Sequence, residues 1–222
     1  MKAMVLAAGR GERMRPLTDH TPKPLLKAGE YTLIERTVLQ LVRNGFHDIV
    51  INHAYLGEQI ERTLGDGGHY GASIVYSREG DSVLETGGGI LKALPLLGNA
   101  PFLVVNGDIA TDFPFFRLKN AALDLAHLIL VDNPSHHPGG DFALHGKTVV
   151  ETSESRLTFS GVGIYNPDLF SECKPGKFSL APLLKAAMQN GRVSGEKHEG
   201  FWMDIGTPER LDILKNIILH QQ

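Results

Sequence analysis

The sequence predicts an α/β fold with a parallel sheet and helices on both of its faces. Three observations carry this expectation. Short apolar runs suited to buried strands alternate with longer segments of helical period through the first half of the chain. Glycine stands where each of the first helical patterns stops. The strongest apolar runs end in small or polar residues, as strands do at the ligand edge of an open α/β sheet.

The elements follow in order. Lys2–Ala7 reads as the first buried strand. Leu33–Asn44 sets Ile34, Val38, Leu41 and Val42 on one helical face, and Gly45 ends it. Asp48–Asn52 is a strand around Ile49-Val50-Ile51, Tyr55–Leu64 a helix closed by Gly65, and Ala72–Ser77 a strand. Gly88–Leu97 is a helix with Pro95 near its end. Phe102-Leu103-Val104-Val105 is a strand ending at Asn106-Gly107-Asp108. Residues 125–131 read as one more strand. After the turn-rich stretch Asn133–Gly140, the segments Asp141–Leu144, Val149–Thr152 and Thr158–Tyr165 read as shorter, twisted or antiparallel strands. Leu180–Asn190 is a helix ended by Gly191, and Phe201–Ile205 is a short segment ending in Gly206. The last helix has Thr207 as N-cap, Pro208 at its first position and a buried face of Leu211, Leu214, Ile217 and Ile218. A single domain over 1–222 is expected, with 1–132 mainly a nucleotide half and 133–222 mainly a second-substrate half.

Composition narrows the function classes. The net charge of −3 argues against a nucleic-acid partner, which calls for a basic face. Cys173 is the only cysteine, so no intrachain disulfide forms. The apolar run at the N-terminus is too short for a signal segment, and no stretch approaches a membrane span. A cytoplasmic protein with no membrane partner is expected; oligomeric state is left open.

Three constellations carry chemistry. The first is the loop Ala8-Gly9-Arg10-Gly11-Glu12-Arg13-Met14, followed by Pro22-Lys23-Pro24. Two closely spaced glycines let backbone N–H groups approach an anion, and the cationic side chains add charge at the same place. Met14 stands where a dinucleotide fingerprint needs its third glycine, and no Walker lysine follows, so neither motif fits. Arg13 and Lys23 are assigned to phosphate oxygens, Lys23 being held between two prolines that restrict the backbone. The second is Asp108, a carboxylate just past a strand end, suited to Mg²⁺ beside a polyphosphate or, alternatively, to capping a turn. The third is Asp204 in Trp202-Met203-Asp204-Ile205-Gly206-Thr207. A carboxylate in that apolar run needs a cation or hydrogen-bonding partner, and Mg²⁺ shared with Asp108 supplies one; the alternative is an Asp204 exposed on an edge strand. The ten histidines invite a zinc reading, but His136-His137 lie in a proline-glycine turn and no second pair has ligand spacing, so surface histidines are expected. No serine-hydrolase elbow occurs.

Together, Leu6-Ala7-Ala8-Gly9-x-Gly11-x-Arg13, Pro22-Lys23-Pro24-Leu25, Asn106-Gly107-Asp108 and Trp202-x-Asp204-x-Gly206-Thr207 resemble the sugar-1-phosphate nucleotidylyltransferase family. The resemblance runs through nearly the whole chain. It implies a Rossmann-like nucleotidyltransferase fold, with a mixed, mostly parallel central sheet flanked by helices. It also implies that Ala8, Gly9, Gly11, Glu12 and Arg13 wrap the nucleotide, with Arg13 on the leaving pyrophosphate. Lys23 would meet the α-phosphate, Asp108 and Asp204 would hold Mg²⁺, and Gly80–Gly88, including Glu85, would read the base. Asn106, Gly140, Asp141, Glu151, Ser160 and Gly161 would bind the sugar.

The chain departs from the family in places. Glu12 stands where many members carry threonine. No glutamine lies near Gly80. Glu151 is followed by Thr152, where relatives have the lysine that meets the sugar phosphate. The β-helical extension of some members is not expected after the Asp204 motif. The pairing of Gly11-Glu12-Arg13-Met14 with Leu84-Glu85-Thr86-Gly87-Gly88-Gly89 resembles the family's uridylyltransferases of cell-wall recycling. That implies UTP and N-acetylmuramate 1-phosphate as substrates, with guanylyl or thymidylyl transfer to mannose or glucose 1-phosphate as the alternative. Outside the family, a glycosyltransferase would normally carry Asp-x-Asp where Asn106-Gly107-Asp108 stands. A non-catalytic nucleotide sensor could dispense with Lys23 or a metal carboxylate, and this chain keeps all three.

Overall fold

The computed structural model describes residues 1–80, 83–152 and 155–220. Its strands are β1 (Ala3–Leu6), β2 (Lys27–Ala28), β3 (Tyr31–Thr32), β4 (Asp48–His53), β5 (Ser73–Arg78), β6 (Phe102–Asn106), β7 (Ile109–Thr111) and β8 (Ala126–Val131), then β9 (Ala143–His145), β10 (Thr148–Val150), β11 (Thr158–Tyr165), β12 (Val193–Lys197) and β13 (Trp202–Asp204). The α-helices are α1 (Leu33–Arg43), α2 (Gly57–Leu64), α3 (Glu85–Leu97), α4 (Leu180–Gln189) and α5 (Pro208–Leu219).

Nine strands form one sheet in the order β5-β4-β1-β6-β11-β8-β12-β10-β9. The four strands from the first half, β5, β4, β1 and β6, run parallel. β11 is antiparallel to both β6 and β8, and β12 returns parallel to β8. The α/β class and the mixed sheet are as expected. The chain steps outward from β1 through β4 to β5, then crosses back through α3 to β6. The reversal between β1 and β6 opens a crevice at their carboxyl ends, the usual ligand position in such sheets.

Apolar alternation drives this layering. Ala3, Val5, Leu103 and Val105 pack with Ile34, Val38 and Leu41 of α1 on one face. Met4, Phe102 and Val104 pack with Ile90, Ala93 and Leu97 of α3 and Leu184 of α4 on the other. A third cluster joins Met14, Leu26, Leu33, Ile205, Leu211 and Leu214, anchoring the glycine-rich loop to α5. Thr32 caps α1 through a capping box with Glu35. Thr207 caps α5 with Pro208 behind it, as expected; Leu211 and Leu214 are buried, while Ile217 and Ile218 are half-buried.

Several elements differ from expectation for local reasons. α2 begins at Gly57 rather than Tyr55, because Leu56 takes a left-handed conformation and a Cβ at Gly57 would collide with the His53 ring. α3 begins at Glu85, three residues before the expected start, and runs through Gly87-Gly88-Gly89, which helix propensity disfavours. The expected strand over Asp141–Leu144 is an isolated bridge at Phe142 followed by β9, and Val149–Thr152 shortens to β10 at Val150. The polar β12 carries no strand signal of its own and is held by β8 and β10.

Helix α2 is tied to the sheet by Glu61, which accepts hydrogen bonds from Arg78 Nε at 2.6 Å and Nη2 at 2.5 Å and faces His53 Nε2 at 2.7 Å. The Arg78 hydrogen bonds, opposed by burial and aided by His53, pull the Glu61 carboxyl down to about 2. A carboxyl depressed in the folded state stabilises the fold above its unfolded value, about 4.3, and loses that contribution as pH falls toward 2. Urea denaturation between pH 7 and pH 3 is expected to show a smaller loss of midpoint for Glu61→Gln than for the parent protein.

Candidate functional site

The register of three parallel strands builds the site. Leu6 at the end of β1 stands opposite Asn52 of β4 on one side and Asn106 of β6 on the other. The glycine-rich loop therefore leaves the sheet between two asparagines. Gly107 N–H donates to the Leu6 carbonyl at 2.9 Å, which keeps Asp108 beside the loop. A cleft of about 970 Å³ opens here. Ala8, Gly9, Gly11, Glu12, Arg13, Lys23, Glu85, Asn106 and Asp108 all line it.

The loop is held by its own glycines and by buried polar groups. Gly11 takes φ +67, and its carbonyl accepts from Thr18 Oγ1 at 2.8 Å. Lys23 opens a short 3₁₀ turn between Pro22 and Pro24 and is only 8% exposed. Its Nζ donates to Asp108 Oδ2 at 2.5 Å. Arg13 lines the cleft with no hydrogen bond or ion pair among the described residues, so its guanidinium is available to an anion.

A buried relay missed by the sequence reading fixes both walls. Asn52, 2% exposed, accepts the Ala7 N–H at 2.9 Å and donates to Glu79 Oε1 at 2.6 Å. Glu79 Oε2 accepts the Leu84 N–H at 2.8 Å, just before α3. The glycines of α3 make room for these contacts. A Cβ at Gly89 would lie 2.6 Å from Glu79 Oε1, one at Gly87 would lie 2.5 Å from the Phe178 ring, and one at Gly88 would collide with the Gly176 carbonyl. The triple glycine thus seats the helix start between Glu79 and the segment 176–178. An apolar strand ending in asparagine was the only available signal for Asn52.

The antiparallel pair of β7 with β13 brings together the segments that carry the two candidate metal carboxylates. Asp204 stands opposite Ile109 across the antiparallel β7–β13 pair, and Ile205 N–H donates to the Asp108 carbonyl at 2.7 Å. Asp204 Oδ1 accepts from Arg210 Nη1 at 2.9 Å and lies 2.9 Å from His136 Nε2. His136 and Arg210 also touch each other. His136 is a surface histidine, as expected, and its exposed ring pairs with Asp204. Both carboxylates are partly exposed oxygen donors already facing a cationic side chain, Lys23 for Asp108 and Arg210 for Asp204, and such donors suit Mg²⁺. That ion takes one or two carboxylates and completes its shell with phosphate oxygens and water.

The remaining sequence-selected residues do not line the cleft. Gly80, at φ +74, lies on a separate cavity of about 770 Å³ with His53, Glu61 and Arg78, because β5 delivers it beyond the neighbouring strand end. Of the segment Gly80–Gly88, Asp81 and Ser82 lie outside the described residues. Gly161, at φ +79, abuts the Asn106 side chain, which any Cβ there would displace. Ser160 is buried: its hydroxyl donates to the Ile129 carbonyl at 2.7 Å and accepts from Val162 N–H, holding a bulge in β11. Its carbonyl accepts from Trp202 Nε1 at 2.9 Å. Asp141 accepts the Phe159 N–H at 2.8 Å and faces His137, while the adjacent Gly140 turns at φ +58. Glu151 pairs with Lys185 of α4 at 2.8 Å.

Residues 2–142 match the family model described as nucleotidyl transferase. The chain belongs to the nucleotidyl transferase family. It is 54% identical over 220 residues to the N-acetylmuramate alpha-1-phosphate uridylyltransferase of Neisseria meningitidis, covering 95% of each chain. It is 35% identical to the protein of that name from Caulobacter vibrioides, covering 93% of this chain and 92% of the relative. Among solved structures, a candidate glucose-1-phosphate thymidylyltransferase of Bacillus anthracis, determined with sucrose, superposes with a TM-score of 0.87 at 23% identity, covering 98% of this chain and 94% of the other. That likeness establishes the nucleotidyltransferase fold. No helix among the described residues of this family member is long and apolar enough to cross a membrane.

Asn52→Ala is expected to leave the Ala7 N–H and a Glu79 oxygen unpaired and to destabilise the protein by about 1–3 kcal/mol. Urea denaturation measures the loss, and nucleotide affinity should fall with it. Gly88→Ala should cost about 1–3 kcal/mol through overpacking against Gly176, read as a lowered Tm.

Proposed function

We propose that this nucleotidyl transferase moves UMP from UTP to N-acetylmuramate 1-phosphate, releasing pyrophosphate. The observation that carries the reading is the cleft beside the Lys23–Asp108 pair, lined by the glycine-rich loop and its Arg13. The 54% identity to a uridylyltransferase of that substrate supports the choice of base and sugar. The reading places the enzyme in the cytoplasm, within one domain. Residues 1–132 mainly meet the nucleotide. Residues 133–222 mainly meet the sugar phosphate, with Asn106 reaching it from the other half.

The chemistry is an in-line displacement. A phosphate oxygen of the sugar 1-phosphate forms a bond to the α-phosphorus of UTP. The bond from that phosphorus to its bridging oxygen breaks, and the electron pair leaves on pyrophosphate. The attacking oxygen is already anionic, so no general base is required. The barrier lies in bringing two anions together, which calls for positioning and charge neutralisation. Loop N–H groups from Ala8 to Arg13 orient the nucleotide. Arg13 draws the charge that accumulates on the leaving pyrophosphate. Lys23 meets the α-phosphate, its partner Asp108 holding it at the reacting end. Asp108 and Asp204 would hold Mg²⁺, which when bound supplies further neutralisation of the triphosphate.

Lys23→Ala and Asp108→Ala should keep the fold by circular dichroism and lose about 100- to 1000-fold in pyrophosphate release, typical of removing one preorganised transition-state contact. Chelation by EDTA should abolish turnover and added Mg²⁺ restore it. A matrix of four nucleoside triphosphates against several sugar 1-phosphates tests the substrates. Turnover confined to GTP with mannose 1-phosphate would reject the uridylyl assignment.

A further inference from the structure

Among the described residues, four cationic side chains line the cleft: Arg10, Arg13, Lys23 and Lys177. Three come from the N-terminal loop region. Lys177 alone comes from the opposite wall, on the segment between β11 and α4. Its backbone is clamped to the start of α3. Phe178 N–H donates to the Leu84 carbonyl and Gly88 N–H donates to the Phe178 carbonyl, both at 3.1 Å, with the Gly176 carbonyl packed on Gly88. The side chain itself is 64% exposed and lies 3.6 Å from Glu85, an ion pair too long to be a strong hydrogen bond. An exposed pair of this kind is weak and readily exchanged for a better anion. Glu85 meanwhile sits at φ +61, a left-handed conformation costly for a non-glycine residue and common at ligand sites.

The substrates have three kinds of anionic group. The triphosphate follows the glycine-rich loop. The sugar phosphate must reach the α-phosphorus, at the Lys23 end. N-acetylmuramate differs from N-acetylglucosamine by a lactyl ether carrying a carboxylate, the one anion distant from the reacting centre. Resting on the uridylyl-transfer reading above, we propose that Lys177 binds this acceptor carboxylate and selects for acid-bearing sugars. The acceptor carboxylate takes the place of Glu85 on the Lys177 ammonium. A neutral hexosamine phosphate gains nothing from this exchange. Without the lysine, Glu85 repels the acid.

The test compares the parent protein with Lys177→Met and Lys177→Arg, using UTP with N-acetylmuramate 1-phosphate as acceptor. N-acetylglucosamine 1-phosphate serves as the lactyl-free comparator, measured as a competing ligand whether or not it is turned over. Lys177→Met should raise KM for N-acetylmuramate 1-phosphate by roughly 10- to 100-fold, the range of a lost charge-assisted hydrogen bond. KM for UTP, kcat at saturation and the inhibition constant of the comparator should hold, and Lys177→Arg should recover much of the loss. An equal loss on both sugars, a raised KM for UTP, or no change at all overturns the proposal while leaving uridylyl transfer intact. Absence of turnover by the parent protein with UTP and N-acetylmuramate 1-phosphate removes the functional reading and this proposal with it.

Discussion

The in-register pairing of β1 between β4 and β6 is the constraint on which the rest of the site depends. Leu6 faces Asn52 and Asn106 at once, so the glycine-rich loop has one exit from the sheet. A slip of a single residue would exchange the side chains packed on α1 with those packed on α3 and separate the loop from both asparagines. The apolar residues of the three strands, packed between α1 and α3, therefore set the position of the polar edge. Core packing and ligand geometry are one problem here: the same register that buries Val5 and Val105 places Asn106 at the cleft.

Polar groups then carry that register outward. Asn52 and Glu79 link the loop on one strand to the start of α3 beyond another, through buried hydrogen bonds that cannot be exchanged for water without cost. On the far side, the antiparallel β7–β13 pair ties Asp108 to the segment bearing Asp204 although nearly a hundred residues separate them in sequence. The two carboxylates differ in their partners. Asp108 is neutralised by a lysine of the loop, and Asp204 by Arg210 with His136 beside it.

Much of this was legible in the sequence because its signals are local. The strand–glycine–arginine run, the lysine between prolines and the Asn-Gly-Asp strand end each announce their chemistry within a few residues, and all lie on one cleft. The α/β class followed from equally local periodicity. What escaped depends on distant partners. Asn52 and Glu79 look ordinary until the strands are paired. The start of α3 is hidden by three glycines whose reason is steric, since Phe178, Gly176 and Glu79 occupy the space of their missing side chains. β12 has too few apolar residues to declare itself and exists through its neighbours. The family resemblance implies Ser160 as a sugar ligand, yet its hydroxyl is engaged by the backbone of Ile129 and Val162. Lys177 drew no notice because a lysine after proline and glycine reads as ordinary surface.

The chain's one tryptophan has a consequence of its own. Trp202 precedes Asp204 by two residues on β13, and its indole nitrogen is anchored to the carbonyl of Ser160 in the bulge beside Gly161 and Asn106. A single partly buried fluorophore thus bridges the β7–β13 pair and β11. Its emission wavelength and quenching provide a label-free optical signal from this one junction, undiluted by any second indole.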